Sequence, residues 1–178
     1  RADFLFDQRN WIVLNRVTGS AISINGTVFG GQQANFNSPP AATPGGNVWF
    51  YSPQGVAFGA SARVDVGGML ATSAAVNTAA FLNATNLNIN FTGSGSGGPV
   101  TVAAGAAMTG TAHLAFIAPS VTTRAGSNFT VSDYGSVLYG GADSFEVQMF
   151  PTFNDDLTIF TFILPSAAAG TPITNALN

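Results

Sequence analysis

Apolar residues in this chain come in short runs closed off by glycine, proline or asparagine. The clearest series is Val48–Tyr51, Val56–Phe58 and Val64–Val66, punctuated by Pro53 with Gly55, then Gly59, then Gly67 with Gly68. Runs this short, rich in Val and aromatics, read as strands rather than helix turns. Phe4 to Val17 reads as opening strands, most apolar at Trp11-Ile12-Val13-Leu14, and Asn25-Gly26 marks a tight turn. Leu87 to Phe91 alternates apolar and polar with period two, as a half-buried strand does. Phe145–Phe150 and Leu157–Leu164 supply closing strands, and Phe160-Thr161-Phe162 alternates toward one buried face. Between them, 30–46 is polar, with Ser38-Pro39-Pro40 and Pro44-Gly45-Gly46, and reads as a loop excursion. Ala74–Ala84 is Ala-rich and fits a short helix or an irregular excursion, Gly93–Gly98 a flexible turn, and 166–178 a tail or the start of a further region.

The strands repeat. Val100–Ser120 can be laid on Val121–Gly141 without a gap. Val100-Thr101 then falls on Val121-Thr122, Ala104-Gly105 on Ala125-Gly126, Thr109 on Thr130, and Phe116-Ile117 on Val137-Leu138. A period of about 21 residues suits one turn of a coil made of three short strands and three corners. Each turn buries its apolar face only against the next, so an end without a cap exposes unpaired strand edges and invites another chain to stack on it.

Composition narrows the function. The 178 residues suit a single domain with a real core, 46% of them hydrophobic and only 7% charged. Fifteen Phe argue against disorder. The net charge is -3, Lys does not occur, and Arg1, Arg9, Arg16, Arg63 and Arg124 are scattered, which leaves no basic footprint for nucleic acid or an anionic membrane. Absence of Cys excludes thiol chemistry and Cys-ligated zinc, and no apolar run is long enough for a transmembrane helix. The first residues, Arg1-Ala2-Asp3-Phe4, carry no start Met or signal peptide, as expected of a processed product or a segment.

The central series also carries a family likeness. Ser52-Pro53-Gln54-Gly55-Val56, Phe58-Gly59, Val64-Asp65-Val66-Gly67-Gly68-Met69 and Ala71-Thr72-Ser73, with Val13-Leu14-Asn15-Arg16-Val17-Thr18-Gly19 and Ile24-Asn25-Gly26 upstream, resemble the two-partner secretion (TPS) domain of filamentous haemagglutinin-like exoproteins. The family pattern has Asn-Pro-Asn-Gly where this chain has Ser52-Pro53-Gln54-Gly55, so both Asn are replaced while the turn-forming Pro and Gly remain. Repeat and resemblance together give the expected fold: all-β, a right-handed parallel β-helix (β-solenoid) with small extra-helical β elements. The resemblance implies a bacterial exoprotein or adhesin module, secreted to the cell surface. It would serve as secretion signal and folding scaffold for an outer-membrane TpsB-type β-barrel transporter with polypeptide-transport-associated domains. The residues implied in recognition are Asn15, Asn25, Gly26, Ser52, Pro53, Gln54, Gly55, Phe58, Gly59, Gly67 and Gly68, with main-chain strand addition making Ser52 and Gln54 matter less than Pro53, Gly55 and Gly59. A second reading is a filament subunit associating end to end.

A third reading, a polysaccharide-acting β-helix enzyme, lacks its residues. Such enzymes need carboxylates together on one face, whereas Asp155-Asp156 are neighbours that would point to opposite faces and look like a turn. Asp143 and Glu146 could instead pair with Arg124 one turn back. His113, the single His, belongs to no nucleophile motif with Ser120 or Asp133 and is expected at a corner or on the surface. Neither a metal site nor a cofactor site is expected: no Asp-rich loop supplies calcium ligands, and Gly93–Gly98 has no Lys or following helix for phosphate. Thr101, Thr122 and Thr123 are too irregular for an ice-binding ladder. Trp11, Trp49, Phe50, Tyr51 and Phe58 are expected in the core, with Tyr51, Tyr134 and Tyr139 the better candidates for exposure.

Overall fold

The computed structural model describes residues 1–33, 44–83, 88–93, 96–132, 135–151, 158–164 and 173–175. In chain order the strands are β1 (Ala2–Phe6), β2 (Ile12–Arg16), β3 (Ile22–Ile24), β4 (Thr27–Gln32), β5 (Asn47–Tyr51), β6 (Val56–Phe58), β7 (Arg63–Thr72) and β8 (Ala75–Val76). One short helix, α1 (Thr78–Leu82), follows. Then come β9 (Asn88–Thr92), β10 (Val100–Val102), β11 (Ala107–Ala118), β12 (Val121–Thr123), β13 (Asn128–Val131), β14 (Ser136–Gly141), β15 (Phe145–Pro151), β16 (Thr158–Ile163) and β17 (Ile173–Asn175). Among the described residues the chain is all-β apart from α1. Among the described residues no helix is long and apolar enough to cross a membrane.

Two of the three sheets are entirely parallel. One joins two ladders, β1-β4-β7-β11-β13 and β2-β5-β7-β11-β14, because the long strands β7 and β11 belong to both. The other is β17-β12-β10-β6-β3. Every partner in these ladders comes from well along the chain, so each strand's amides are satisfied by a distant segment rather than a hairpin neighbour. Ala103 donates to the Phe58 carbonyl at 2.9 Å and Arg124 to the Val102 carbonyl at 3.0 Å, which carries the pairing past β6, β10 and β12 into the corners.

Alternation explains the near-continuous apolar runs. In β5, β7 and β11, Val48, Phe50, Met69, Ala71, Leu114, Phe116 and Ala118 point into a first core shared with Val56, Phe58, Val100, Val102 and Val121. Their neighbours Trp49, Leu70, Ala115 and Ile117 point the other way into a second core. These strands are therefore buried on both faces, which favours Val, Leu, Ile and aromatics at every position. Phe58 makes edge contacts with Phe50 and Phe116, at 6.2 and 6.1 Å between centroids, as a ladder of rings through the first core.

The second core is closed by an antiparallel sheet, β16-β15-β9-β8. Its Phe91 and Phe145 stack at 4.5 Å, and Phe91, Phe81 and Phe160 surround the fully buried Trp49. β15 and β16, the strands expected to close a coil, thus lie over the second core instead of extending the parallel ladders. Each carries an apolar face that finds a match in Leu70, Ala115 and Ile117, where pairing on a parallel edge would leave it uncovered. α1 begins at Asn77, whose Oδ1 accepts from the Ala79 and Ala80 amides, so the Ala-rich excursion does hold a helix.

The repeat between 100 and 141 holds in its first part and slips in its second. Val100 pairs with Val121 and Thr109 with Thr130, as the gapless overlay requires. Phe116, however, pairs with Tyr139 and Ile117 with Gly140, two residues beyond the overlay. β13 and β14 are separated by residues 132–135, whereas β11 passes the same corner with Thr111 and Ala112 alone. The extra pair is absorbed in that corner, and the ladder resumes with the same faces inward because a slip of two preserves the alternation.

β4 includes Gly30 to Gln32, which the reading of 30–46 as a polar excursion had left out, because they pair with Phe4 to Phe6 of β1. Residues 34–43, Asp133, Tyr134, Asp155, Asp156 and nearly all of the 166–178 segment lie outside the described residues.

Candidate functional site

Ser52 to Gly55 form the corner between β5 and β6. The Gly55 amide donates to the Ser52 carbonyl at 2.9 Å, closing a four-residue turn. Ser52 is fully buried; its hydroxyl donates to the Ser20 carbonyl at 2.7 Å and accepts from the Gln54 amide at 3.1 Å. One side chain therefore folds the turn and ties it to the β2–β3 connection. Gly55 has φ +100°, and a Cβ there would collide with the Pro99 carbonyl. The Gly55 carbonyl accepts from Ile22 and the Pro53 carbonyl from Gly98, so the turn is bonded on both sides. Gln54 is the exposed tip.

Three residues on, Phe58 is buried and Gly59 begins the next corner. Gly59 donates to the Ile24 carbonyl at 2.9 Å, and a Cβ on it would strike the Asn25 amide oxygen. Asn25 is exposed, its Nδ2 donating to Ser23 Oγ at 3.0 Å, while its carbonyl accepts from Ser61 Oγ at 2.5 Å. Gly26 accepts from the Arg63 amide. Asn25-Gly26 and Gly59, far apart in sequence, thus meet in one corner at the end of β6, with Phe58 buried beneath.

Gly67 and Gly68 sit inside β7 rather than at a corner. Their role is close approach: a Cβ on Gly67 would strike the Gly46 carbonyl, and one on Gly68 would strike the Asn47 amide and the His113 ring. Asn47, buried, donates from its side chain to the Arg9 and Trp11 carbonyls at 3.3 and 3.2 Å. Asn15 lies in β2 and donates to the Trp49 carbonyl at 3.3 Å. The candidate set therefore divides. Ser52 to Gly59 with Asn25 and Gly26 share the strip along β6, whereas Gly67 and Gly68 let β7 approach Gly46 and Asn47, and Asn15 ties β2 to β5 at Trp49. Sequence reading missed Ser20, Asn47 and Pro99, the partners that fix these turns. Their contacts span tens of residues and leave no local signal.

Two surface clefts flank this strip. One, about 440 Å³, lies between Pro53-Gln54 and Gly97-Gly98, with Tyr51, Ser73 and Thr92 on its walls. The other, about 380 Å³, runs over Ala57, Gly59, Thr101, Thr122 and Arg124 on the outer face of the second parallel sheet. Neither contains a carboxylate.

The remaining ionisable groups among the described residues give no reactive constellation. His113 is not at a surface corner: it is 3% exposed, with Phe160 and Phe162 rings at 4.6 and 5.4 Å and no partner for either ring nitrogen. Burial pushes it down from 6.5 to about 3, so it is neutral at physiological pH. It turns inward because β11 runs through it as a buried strand. Burial also raises Asp65 and Tyr139. Among the described residues the ion pair is Arg1–Asp3, at 2.6 Å; Arg124 pairs with neither Asp143 nor Glu146. β15 carries Glu146 into the antiparallel sheet, whereas Arg124 stays in the corner after β12. Among the described residues no cluster of three or more His, Cys, Asp or Glu could hold a metal.

Of the five aromatics expected inside, Trp49, Phe50, Tyr51 and Phe58 are buried. Trp11 is 50% exposed, because it precedes β2 at an outer strand of the sheet, and Tyr51 is 5% exposed rather than a surface residue.

A family model described as the TPS secretion domain matches residues 1–150. No curated protein and no solved structure matches the chain.

Proposed function

The chain belongs to the TPS secretion domain family, and from that premise we propose that it is the secretion signal and folding scaffold of a surface adhesin, recognised by a TpsB-type outer-membrane transporter. The family is a secretion and transport module, not an enzyme family, and implies a secreted exoprotein. The finer reading has the chain winding as a right-handed parallel β-helix. Its successive turns would be β1-β2-β3, β4-β5-β6, the two halves of β7 with β10, the two halves of β11 with β12, and β13-β14-β17. What supports this is the register. Paired residues differ by 21 at Asn47–Gly68, Val100–Val121 and Ala107–Asn128, and by 23 at Leu114–Val137. They differ by 44 at Val56–Val100, where β8, α1 and β9 are inserted.

The Ser52–Gly55 turn carries the recognition reading. It holds its shape through main-chain bonds and one buried hydroxyl while presenting Gln54 outward. Export delivers the chain unfolded, the transporter's polypeptide-transport-associated domains take up the segment around Ser52–Gly59 as an extended strand by main-chain pairing, and the same residues close into their turns as the chain folds outside the cell. Pull-down with the transporter and secretion of Gly55→Val, Gly59→Val and Gln54→Ala test this. Gln54→Ala is expected to be exported normally, and both Gly variants to lose binding or surface folding. Normal binding and secretion of both Gly variants would refute the strand-turn reading.

A further inference from the structure

β16 is the outermost strand of the antiparallel sheet, and among the described residues it pairs with β15 alone. Its other edge presents main-chain donors and acceptors that no described strand takes up. Natural edges of this kind are blocked by Lys, Pro, an inward charge or a bulge. β16 reads Thr-Ile-Phe-Thr-Phe-Ile, with no charge and no Pro, and runs in unbroken register with β15 from Thr158 to Ile163. Apolar side chains gather beside the same edge. Phe160 and Phe162 are only partly buried against the second core, Ile163 is 41% exposed, and Phe150 on β15 is 49% exposed.

The sequence of that edge is the same in both directions. Residues 159–163 are Ile-Phe-Thr-Phe-Ile, centred on Thr161. Antiparallel pairing with a second copy about a two-fold axis at Thr161 therefore sets like against like: Thr161 opposite Thr161, Phe160 opposite Phe162, and Ile159 opposite Ile163. Aromatic and β-branched cross-strand pairs of this sort stabilise antiparallel ladders. The axis stands perpendicular to the sheet, so Phe160 and Phe162 of both copies stay on the core side, with Thr161 and Ile163 on the outer side. Charge permits the same register. On β15, Gln148 lies opposite Thr161 and Glu146 opposite Ile163. The Glu146 carboxylates of the two copies thus fall in different rows, on either side of the Thr161 row, and no like charges meet.

We propose that a second copy of this chain pairs with the first through β16, antiparallel and centred on Thr161, so that the two four-stranded sheets join into one. This rests on the antiparallel sheet, and neither on the winding nor on the recognition reading. The contact is isologous and uses up the same edge in both copies, so it closes at a dimer. Six residues per copy make a small interface, and a reversible dimer with a Kd of roughly 1–100 μM is expected. With no charge on the paired strands, salt does not weaken it.

Sedimentation velocity across a concentration series, at low and high salt, tests this on the full chain. A monomer–dimer equilibrium is expected at both. Thr161 is exposed, so Thr161→Lys and Thr161→Glu each set like charges face to face at the axis at unchanged Tm. Each is expected to weaken dimerisation at least about tenfold, and an equimolar mixture of the two to restore it. Cysteines read the register, since the chain has none of its own. Thr161→Cys is expected to oxidise to a disulfide-linked dimer, whereas Ile163→Cys, about 14 Å from its counterpart in this register, stays reduced. A chain still monomeric above the expected Kd range, no recovery in the mixture, or cross-linking of Ile163→Cys in preference to Thr161→Cys overturns the proposal.

Discussion

His113 makes acid stability a sensitive reporter of the second core. Asn47 and Gly68 lie beside its ring, Phe160 and Phe162 cover it, Ser136 is its partner on β14, and none of these ionises in the acid range. The folded chain holds it neutral down to about pH 3, while the unfolded chain takes up a proton near 6.5. Between these values the unfolded state binds more protons, so stability rises with pH through the window and its contribution is complete above 6.5. At about 1.4 kcal/mol per unit, acidification from neutrality to pH 5 costs about 2 kcal/mol, and the full window about 5 kcal/mol. That is comparable with the whole stability of a small domain, roughly 5–15 kcal/mol. Asp65 acts in the opposite sense, since its raised pKa favours the folded state at low pH and that gain fades as pH climbs past the raised value. Urea midpoints at pH 8, 7, 6 and 5 for the wild type, His113→Phe and His113→Leu isolate the imidazole, because Asp65 is common to all three. The wild-type midpoint is expected to fall steadily below pH 6.5 while the variants change little between pH 8 and 5. Parallel pH profiles for wild type and variants would show that His113 is not buried neutral.

Three further outcomes follow from the packing. Gly55→Ala forces a Cβ onto φ +100° and the Pro99 carbonyl, and is expected to cost about 1–3 kcal/mol, read as a lower Tm, where Gln54→Ala is near neutral. Ser52→Ala leaves the Ser20 carbonyl without its 2.7 Å donor and is expected to cost about 1–3 kcal/mol in chemical denaturation, more than its exposed neighbour. Trp49→Ala removes the ring that Phe81, Phe91 and Phe160 enclose, at about 3–5 kcal/mol, and hydrogen exchange is expected to rise first in β8, β9, β15 and β16.

Strands were legible at several places where glycine and proline fence an apolar run, but not at Val64–Val66, where β7 continues through Gly67-Gly68 to Thr72. β5 and β6 sit where Val48–Tyr51 and Val56–Phe58 placed them, and Val100–Val102 lies on Val121–Thr123 as the repeat required. What stayed hidden is the division of the apolar residues between two cores. A run such as Val48-Trp49-Phe50-Tyr51 is apolar throughout because both faces are covered, so its alternation leaves no trace in the sequence. The cover itself comes from β9, β15 and β16, whose pairing spans many residues and obeys no repeat. His113 was misplaced for the same reason: a place just ahead of the apolar run Leu114–Ile117 suggested a corner, and only β16 of the antiparallel sheet reveals that it is roofed over. In the candidate strip the turn residues were visible, but Ser52 looked like a lost Asn rather than the buried bolt that joins two connections. Its value depends on Ser20, and the two meet only once distant strands pair.

The parallel ladder across the inserted segment is the premise beneath both the scaffold and the recognition reading, and a cysteine pair reads it directly. Ala57 and Thr101 are register partners on the outer face of the second parallel sheet, and neighbouring strands at about 4.8 Å fall within the Cα separation, about 4.4–6.8 Å, that a disulfide accepts. The chain has no other Cys. Ala57→Cys with Thr101→Cys is predicted to oxidise to an intramolecular disulfide in the folded protein, while Ala57→Cys with Val102→Cys, whose second position points inward, remains reduced. Cross-linking of the second pair and not the first would contradict the account.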